Sequence, residues 1–361
     1  MESKNRTTYT ILGVMSGTSV DGIDFAVAEF SKERHWKFEI LSSKTVPYPK
    51  LWQQRLRAAV AYDKEELKLL DEEYTRYLAS AIKEYLGSEN DKQLDAIASH
   101  GHTILHRPDH GVTYQIGNRK ELAELTGHLV VCDFRVQDVE LGGQGAPLVP
   151  VGDDLLFGNY NACLNIGGFA NISYNKDGKR LAFDICPTNI VLNHYADKLG
   201  FDYDKDGHIA SKGTIDQKLV KVLNNLPFYT EKSPKSLGLE WVQKEILPRI
   251  EKSNLTAEAI IATFTEHMAV QISQVLLHIS QEVPEYNVLV TGGGAYNKYL
   301  IKRIKDLTSL DIVVPDPKIV EFKEALVFAF MGALRLRNTT NVLKSVTGAE
   351  RDHCSGVIFT P

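Results

Sequence analysis

The sequence predicts an α/β protein made of two domains of related fold. Its 361 residues exceed what a single hydrophobic core usually serves, and strand-like and helical patterns alternate through most of the chain. A strand, a glycine-rich turn and a second strand occur at residues 9–30 and again at residues 162–174, which indicates a duplication. We therefore predict a first domain of residues 1–140 with 340–361 and a second domain of residues 141–339, packed closely around a cleft.

The composition is that of a soluble globular protein. Hydrophobic residues make up 43% of the chain and charged residues 24%, and the formal net charge of -5 argues against nucleic acid or a membrane surface as a partner. Residues 1–8 are polar, so we expect no secretory signal, and no stretch reads as long and apolar enough to cross a bilayer. The four cysteines show no Cys-x-x-Cys spacing, which favours reduced thiols in a cytoplasm over a zinc site or disulfides.

The first glycine-rich turn, residues 13–24, joins predicted strands at 9–14 and 23–30 and has the composition of a phosphate-binding hairpin tip. Glycines let the backbone approach a ligand, hydroxyl and free N–H groups can hold phosphate oxygens, and carboxylates suit Mg²⁺, directly or through water. The residues that supply these groups are Ser16, Gly17, Thr18, Ser19, Asp21, Gly22 and Asp24. Taken alone, the pattern favours an ordinary turn before an edge strand, so the rest of the chain must decide.

The other elements follow in alternating order. Before residue 140, apolar alternation predicts strands at 38–46, 96–99, 113–116 and 129–134, and the helical period predicts helices at 51–86 and 119–126. A turn cluster at 141–147 is a candidate hinge. Beyond it we predict the second hairpin at 162–174, strands at 181–184 and 287–291, helices at 297–307 and from 321 onward, and a loop at 339–348.

Gly292, Gly293 and Gly294 follow a predicted strand and precede a predicted helix, a context in which backbone N–H groups favour phosphate or sugar hydroxyls. The run is not a Gly-x-Gly-x-x-Gly fingerprint, and no Walker A sequence occurs, so neither a dinucleotide fold nor a P-loop is supported. A tight strand-to-helix turn explains the run about equally well.

Three further charged residues each have two interpretations, one functional and one structural. Asp184 ends a strand, so it is either a general base facing a cleft or a cap of the following helix. Arg135 follows a strand and either holds an anion or forms a surface ion pair with Asp133 or Asp138. Glu324 either lies near a ligand or is a solvated acid in the first helical turn.

His100, His102 and His106 have a metal-like spacing, and strand alternation would place His100 and His102 on one face. No carboxylate or cysteine partner lies nearby in the sequence. Polar contacts to a substrate are therefore the better interpretation than a metal site.

These separate patterns together resemble the anhydro-N-acetylmuramic acid kinase family. The resemblance runs in order over nearly the whole chain, and its most specific parts are Met15 to Asp24 and Gly142 to Pro150. The other matching segments are residues 99–101, 115–117, 133–135, 165–168, 203–207, 234–236, 292–294 and 345–349.

The resemblance implies the fold of the sugar kinase, heat-shock ATPase and actin superfamily: two duplicated actin/hexokinase-like domains around a nucleotide-binding cleft. It implies a cytoplasmic enzyme of cell-wall recycling that opens 1,6-anhydro-N-acetylmuramic acid with water and phosphorylates O6 with ATP and Mg²⁺. It assigns Asp184 as the base that activates water, Asp21 to Mg²⁺ through water, and His100, Arg135, Asn189 and Glu324 to the sugar. ATP would lie on Gly17, Thr18, Ser19, Val20, Asp21, Gly22, Ile23, Asp24, Gly167, Gly168, Gly292, Gly293 and Gly294.

Several positions depart from the family pattern. The family usually reads Asp-Thr-Gly-Pro-Gly-Asn at 184–189, where this chain has Cys186 and Thr188 in place of both glycines. It also usually has Asp, Gln, Thr and Arg at the positions of Asn193, His102, Leu237 and Leu239. The departures keep two alternatives open: a catalytically silent sensor of nucleotide or sugar, and a kinase for a different amino sugar. The sequence does not decide the oligomeric state, and a homodimer is one possibility.

Overall fold

The computed structural model describes residues 6–87, 94–281, 283 and 285–361, and it divides into two compact units. Unit 1 consists of Met1–Leu156 and Phe322–Pro361, and unit 2 is Phe157–Glu321. The domain boundaries predicted at residues 140 and 340 stay a prediction about which segments fold together.

Unit 1 is built on a seven-stranded sheet. Its strands are β1 (Thr8–Ser16), β2 (Gly22–Lys32), β3 (Trp36–Pro47), β4 (Ala96–Arg107), β5 (Val112–Ile116), β6 (Val130–Cys132) and β12 (Val357–Phe359). The order is β3-β2-β1-β4-β6-β12, with β5 paired to β4. The first three strands form an antiparallel meander, whereas β4 runs parallel to β1 and β6 runs parallel to β4.

Unit 2 repeats that arrangement in a five-stranded sheet of order β9-β8-β7-β10-β11. Its strands are β7 (Ala162–Ile166), β8 (Phe169–Lys176), β9 (Lys179–Pro187), β10 (Asn287–Thr291) and β11 (Asp311–Val313). Again the first three strands are an antiparallel meander and the next two are parallel additions. The prediction of a duplicated α/β fold is therefore confirmed: five strands of each sheet follow the same order, and β5 and β12 are additions in unit 1.

Helices cover these sheets. Those within unit 1 are α1 (Lys50–Ala58), α2 (Lys64–Leu86), α3 (Glu121–Thr126), α4 (Val136–Glu140), α5 (Pro150–Leu155) and α14 (Lys344–Thr347). Those within unit 2 are α6 (Asn189–Asp197), α7 (His208–Lys212), α8 (Gln217–Asn224), α9 (Leu239–Trp241), α10 (Leu247–Glu251), α11 (Ala257–Ser280) and α12 (Lys298–Thr308). The boundary between the units falls inside α13 (Pro317–Leu336).

The long helix predicted at 51–86 is two helices. Asp63 accepts hydrogen bonds from the backbone of Glu65 and Glu66, while the Glu66 side chain accepts from the Asp63 N–H, which is a complete capping box. A cap satisfies the N–H groups that begin a helix, so α2 starts anew at Lys64. Likewise, α14 lies inside the segment predicted to be a loop at 339–348.

Helix α13 lies directly on β1. A Cβ atom at Gly13 would sit 1.9 Å from the Ala325 carbonyl oxygen, so only glycine permits this approach. Because α13 begins at Pro317, Glu324 lies inside the helix rather than in its first turn as predicted.

One helix in the described part of the chain, α11, is long and apolar enough by length and composition to cross a membrane. This corrects the expectation that no stretch would qualify. However, 72% of its apolar window is buried in the protein, and residues such as Phe264, Met268 and Ile272 belong to the hydrophobic core of unit 2. The burial is that of a core helix, and it explains why the helix is apolar on nearly all sides.

Candidate active site

The predicted site residues fall into two groups, one in each unit. In unit 1 the loop between β1 and β2 is held at both ends by Tyr48. The Tyr48 hydroxyl lies 2.7 Å from the Ser16 Oγ, and the Tyr48 N–H donates to the Asp21 carbonyl oxygen at 3.1 Å. A single internal turn bond, from the Val20 N–H to the Gly17 carbonyl oxygen, closes the loop. The loop is thus fixed before any ligand arrives.

This first loop offers donors to an anion. Within the described part of the chain, the N–H groups of Gly17, Thr18 and Ser19 have no hydrogen-bond partner. A Cβ at Gly17 would meet only the Ser19 Oγ, at 3.7 Å, so the tip is open. Val20 and Ile23, by contrast, bury their side chains in the core, which leaves only their backbones for a phosphate.

The same loop has oxygen donors that suit magnesium. The Asp21 side chain is exposed, and its carboxylate has no partner among the described residues. The Asp24 carboxylate accepts a hydrogen bond from the Thr45 hydroxyl at 2.6 Å. No group of three or more His, Cys, Asp or Glu that could hold a metal occurs in the described residues. One exposed carboxylate beside N–H groups without partners among the described residues fits Mg²⁺, an ion that keeps several waters and is often held together with substrate phosphates.

Behind the loop lies a chain of hydrogen bonds from Tyr74 through Tyr48 and Ser16 to His102. The Tyr48 and Tyr74 hydroxyls are 2.6 Å apart, and the Ser16 Oγ lies 2.8 Å from the His102 Nδ1. If Tyr74 donates to Tyr48, Tyr48 to Ser16 and Ser16 to His102, every hydroxyl proton is used. His102 then accepts at Nδ1, which requires the neutral ring. Burial lowers the His102 pKa from 6.5 to about 4, consistent with that neutral form.

The low His102 pKa makes stability depend on pH. Because the folded state holds this ring neutral, its contribution is complete above about pH 6.5 and declines as the pH falls towards 4. We expect His102→Gln, which removes the titration, to reduce the proton uptake on unfolding between pH 6.5 and 4 by about one proton. Urea midpoints at several pH values, followed by the fluorescence of the nearby Trp52, measure it. An unchanged pH dependence would contradict the assignment.

His100 and His102 do not share a face, contrary to the prediction from strand alternation. The register of β1 against β4 shifts between Val14 and Ser16, and Gly101 has a φ of +72°. This irregularity turns the His100 ring towards Phe328 of α13, 4.7 Å between centroids, and the His102 ring towards Tyr74 of α2.

His100 orients Arg135. The His100 Nδ1–H donates to the Gly101 carbonyl oxygen at 2.9 Å, so Nε2 is free to accept the Arg135 Nε–H, also at 2.9 Å. Burial and the Arg135 charge lower the His100 pKa well below its ordinary value, which keeps the ring in this accepting form. Both ring nitrogens of His100 therefore form hydrogen bonds within the protein. In this structure His100 supports Arg135 and has no ring nitrogen left for a ligand.

Arg135 has no carboxylate partner. Its Nη1 donates to the Gly145 carbonyl oxygen at 2.5 Å, but no ion pair joins Arg135 to Asp133, Asp138 or any other residue that the structure describes. Burial lowers its pKa to about 10, so it stays charged at neutral pH. An oriented guanidinium bonded only to neutral groups is suited to an external anion.

Asp138 supports this arrangement from the interior. Its buried carboxylate accepts from the Gly145 N–H and from the Thr347 hydroxyl, each at 2.7 Å, and so ties the glycine-rich 142–147 segment to α14. A Cβ at Gly143 would lie 2.2 Å from the Asp138 carboxylate, which requires glycine there.

Glu324 completes the unit 1 group. Solvent reaches its side chain, yet desolvation by the surrounding protein raises the pKa of its carboxyl, and the Asp24 charge adds to the rise. The Arg135 charge opposes it. Glu324 therefore shares one electrostatic environment with the guanidinium and with the end of the first hairpin.

In unit 2 the second hairpin tip, Gly167–Gly168, is bonded to the start of α6. The Thr188 hydroxyl donates to the Gly167 carbonyl oxygen at 2.7 Å, and the Thr188 N–H donates to the Gly168 carbonyl oxygen at 2.8 Å. The Gly168 N–H has no partner among the described residues, and the nearest atom to a Cβ placed there is 3.9 Å away. This tip likewise presents an open donor.

The Thr188 hydroxyl should matter for ATP. Thr188→Val keeps the shape but removes the bond to Gly167, and one hydrogen bond of this kind contributes about 0.5–1.5 kcal/mol. We expect the KM for ATP to rise by roughly 3- to 10-fold with the KM for the sugar unchanged. Thr188→Ser, which keeps the hydroxyl, is the control. Equal rises in both KM values would show that the bond does not act on the nucleotide side.

The third glycine run borders a cavity of about 330 Å³ within unit 2. Its walls carry amides, aromatic rings and charged groups: Asn189, Leu192, Asn193, Tyr203, Asp204, Lys205, Asp206, Gly293, Gly294, Tyr296 and Asn297. The cavity therefore contains Asn189, which was predicted to contact the sugar, and Asn193. Its size, with a few polar groups on a largely apolar wall, is that of a small-ligand site.

The three glycines of that run differ in what they do. A Cβ at Gly292, whose φ is +80°, would lie 2.6 Å from the Asn165 Oδ1, and one at Gly294 would lie 2.2 Å from the Ile166 side chain. Both are required for packing against β7. The nearest atom to a Cβ placed at Gly293 is the Asn189 Nδ2, at 3.9 Å, so this glycine alone of the three is not required for packing.

Asp184 lies within β9, which continues to Pro187 and so runs past the strand end predicted at residue 184; its side chain is half-buried. Its Oδ2 accepts the Leu237 N–H at 2.8 Å, and within the described residues Oδ1 has no partner. Burial raises the Asp184 pKa, and the bond from Leu237 opposes that rise. The register shift between Ala170 and Asn171 leaves Ile185 as an extra residue beside Asp184, a bulge that re-aims the side chain.

Cys186 and Thr188, the two residues that replace the family's glycines next to Asp184, are both buried. Cys186 is fully buried, and burial raises its pKa far above its ordinary value, so it is an inert thiol. Thr188 has a φ of -136°, so neither a positive φ nor a missing side chain is needed there.

Sequence reasoning missed Tyr48, Asp138, Thr188 and Leu237 as contributors to the site. No pattern singles out Tyr48 or Leu237, since Leu237 acts through its backbone. For Asp138 the one available signal was an acidic residue four positions before the first glycine of the 142–147 segment.

Comparison with known proteins finds one family over nearly the whole chain. The sequence model of the family described as anhydro-N-acetylmuramic acid kinase matches residues 9–361. A protein of that name from Pseudomonas savastanoi pv. phaseolicola is 35% identical over 372 residues, covering 97% of this chain and 99% of the relative. Another from Hydrogenovibrio crunogenus is 33% identical over 366 residues, covering 97% and 98%.

Two solved structures show a distant likeness to the chain. Component A of the Acidaminococcus fermentans (R)-2-hydroxyglutaryl-CoA dehydratase is 14% identical with a TM-score of 0.46, covering 91% of this chain and 99% of that one. A ROK family glucokinase from Streptomyces griseus, in complex with glucose and AMPPNP, is 12% identical with a TM-score of 0.41, covering 89% and 98%.

Proposed function

The chain belongs to the anhydro-N-acetylmuramic acid kinase family, and from that premise we propose how its own residues carry out the reaction. It is an ATP-dependent carbohydrate kinase that hydrolyses the 1,6-anhydro bond of 1,6-anhydro-N-acetylmuramic acid and phosphorylates O6. The product is N-acetylmuramic acid 6-phosphate, an amino sugar of cell-wall recycling.

Asp184 is the proposed general base. Its Oδ1 takes a proton from water, whose oxygen attacks the anomeric carbon as the bond from that carbon to O6 breaks. O6 then attacks the γ-phosphorus of ATP, and ADP leaves. The observation that carries this role is the half-bonded carboxylate, with Oδ2 fixed by Leu237 and Oδ1 without a partner among the described residues. The raised pKa supports it, because a stronger base accepts a proton more readily.

Arg135 is the proposed partner of the lactyl carboxylate of the sugar. Its guanidinium is oriented by His100 and forms no ion pair with a carboxylate of the described residues. Glu324 is proposed to lie near the sugar hydroxyls. His100 serves the sugar through Arg135.

The three glycine loops are proposed to hold ATP. The N–H groups of Gly17, Thr18, Ser19 and Gly168 would bind phosphate oxygens, and the cavity beside Gly293 would take the nucleoside. Asn189 lines that cavity, which favours a nucleotide contact for it over the sugar contact first predicted. Asp21 would hold Mg²⁺ through water, and the ion would neutralise charge on the phosphates.

We propose that the enzyme works in the cytoplasm on ATP and a small sugar, without nucleic acid or membrane partners. The experiment that tests the reaction is incubation with ATP, Mg²⁺ and the anhydro sugar in H₂¹⁸O. Mass spectrometry should find a phosphorylated product with the new oxygen on the sugar and none in the phosphoryl group. A phosphorylated product that keeps the anhydro ring would overturn the proposal.

A further inference from the structure

We propose that the support segment, Lys235–Leu237, positions Asp184 and selects Oδ1 as the oxygen that accepts the proton. This inference rests on the proposed role of Asp184 as the base. The support segment acts on the carboxylate through its backbone, so its role does not depend on which side chain stands at Leu237.

The contacts hold Asp184 at two points. The Asp184 N–H donates to the Lys235 carbonyl oxygen at 3.1 Å, and the Leu237 N–H donates to the Asp184 Oδ2 at 2.8 Å. The two bonds lie on either side of Ser236, so backbone and carboxylate of one residue are fixed by one short stretch of chain. At a bulge the regular strand pairing is interrupted, so these two bonds supply the support that the ladder does not give Asp184 there.

The support segment is itself anchored through Lys235. The Lys235 Nζ donates to the Phe228 carbonyl oxygen at 2.8 Å and lies 4.4 Å from the centroid of the Phe228 ring and 5.9 Å from that of Phe183. The Lys235 ammonium group thus contacts both the carbonyl oxygen and the ring of Phe228, and it forms no ion pair with Asp184. Lys235 thus fixes where the segment lies.

The pKa of Asp184 accordingly depends on one polar contact, the hydrogen bond from the Leu237 N–H. Among the described residues, Cys186 on the same strand and Lys235 in the segment are titratable groups near Asp184, and the Glu231 charge acts on Lys235. The buried thiol stays neutral, and the neighbouring β8 contributes Asn171, which does not titrate. Burial raises the Asp184 pKa and the Leu237 N–H lowers it. Removing that N–H destabilises the charged carboxylate more than the neutral carboxyl group. The pKa of Asp184 should therefore rise.

The test compares Leu237→Pro, which lacks the N–H, with Leu237→Ala, which keeps it. We expect the acid limb of the kcat/KM profile to move to higher pH by about one unit in the proline variant, since a hydrogen bond to a charged group contributes at least that much. The alanine variant should keep the limb where the wild type has it. An equal shift in both variants would overturn the proposal, because only the side chain would then matter.

Two further measurements keep the proposal falsifiable if proline disturbs the fold. Replacing Leu237 by its α-hydroxy acid analogue removes the N–H without a ring and should give the same shift; no shift would overturn the proposal. Lys235→Met keeps the aliphatic stem but loses the anchor, and a smaller shift in the same direction is expected, whereas an unshifted limb would refute the anchoring. Failure of the base assignment is separate, because Asp184→Asn would then stay active whatever position 237 does.

Discussion

Asp184→Asn is expected to lower kcat by about 10²- to 10⁴-fold, the range that a general base contributes. Asparagine has nearly the same shape and can still accept the Leu237 N–H through its amide oxygen, so the fold should hold. It cannot take a proton from water. Binding of ATP, measured by calorimetry, should stay close to wild type because the substitution keeps the shape of the side chain and its bond from the Leu237 N–H.

The matched control is Asp177→Asn, in the turn between β8 and β9, where the residue is exposed with a φ of 50° that asparagine tolerates. Its kcat should equal that of the wild type. In the wild type, kcat/KM should fall as the pH drops through a pKa above the ordinary 3.8 of an Asp, since burial raises it. Turnover by Asp184→Asn at the wild-type rate would remove Asp184 from the mechanism.

Arg135→Ala is expected to raise the KM for the anhydro sugar by roughly 10²- to 10³-fold, because breaking a buried, hydrogen-bonded charge contact costs about 2–5 kcal/mol. Arg135→Lys keeps the charge but loses the Nε–H bond to His100 and the planar fork, so we expect an intermediate rise. The KM for ATP should stay near the wild-type value in both.

A substrate analogue separates carboxylate binding from general damage. The wild type should prefer 1,6-anhydro-N-acetylmuramic acid over 1,6-anhydro-N-acetylglucosamine, which lacks the lactyl carboxylate, and Arg135→Ala should lose that preference. Arg34→Ala, at the exposed turn between β2 and β3, is the control and should retain it. A preference that survives Arg135→Ala would assign the carboxylate to another residue.

Much of the fold follows from local pattern. The meanders of both sheets and the glycine turns were predictable, because alternating apolar residues and glycines at turns act over a few neighbours. The break before α2 was not, since the apolar period continues across it and only the Asp63 cap interrupts the helix. The helices between α6 and α11 were also missed, and α11 in particular is apolar on nearly all sides because it is buried.

At the site, the kinds of residue were predictable but their orientations were not. His100 and His102 have the spacing of one strand face, yet an irregular register in β4 sends them to opposite sides. The family resemblance assigned Asn189 to the sugar, and the structure adds that its side chain lines the cavity beside Gly293.

By itself, the sequence determined the duplicated α/β fold, the three glycine loops and the candidate base and candidate anion-binding residue, Asp184 and Arg135. Only the tertiary structure decided their state. Arg135 is oriented by His100, 35 residues away, and Asp184 is held by Leu237, 53 residues away. Protonation and direction depend on burial and on such distant partners, and these exist only once the chain has folded.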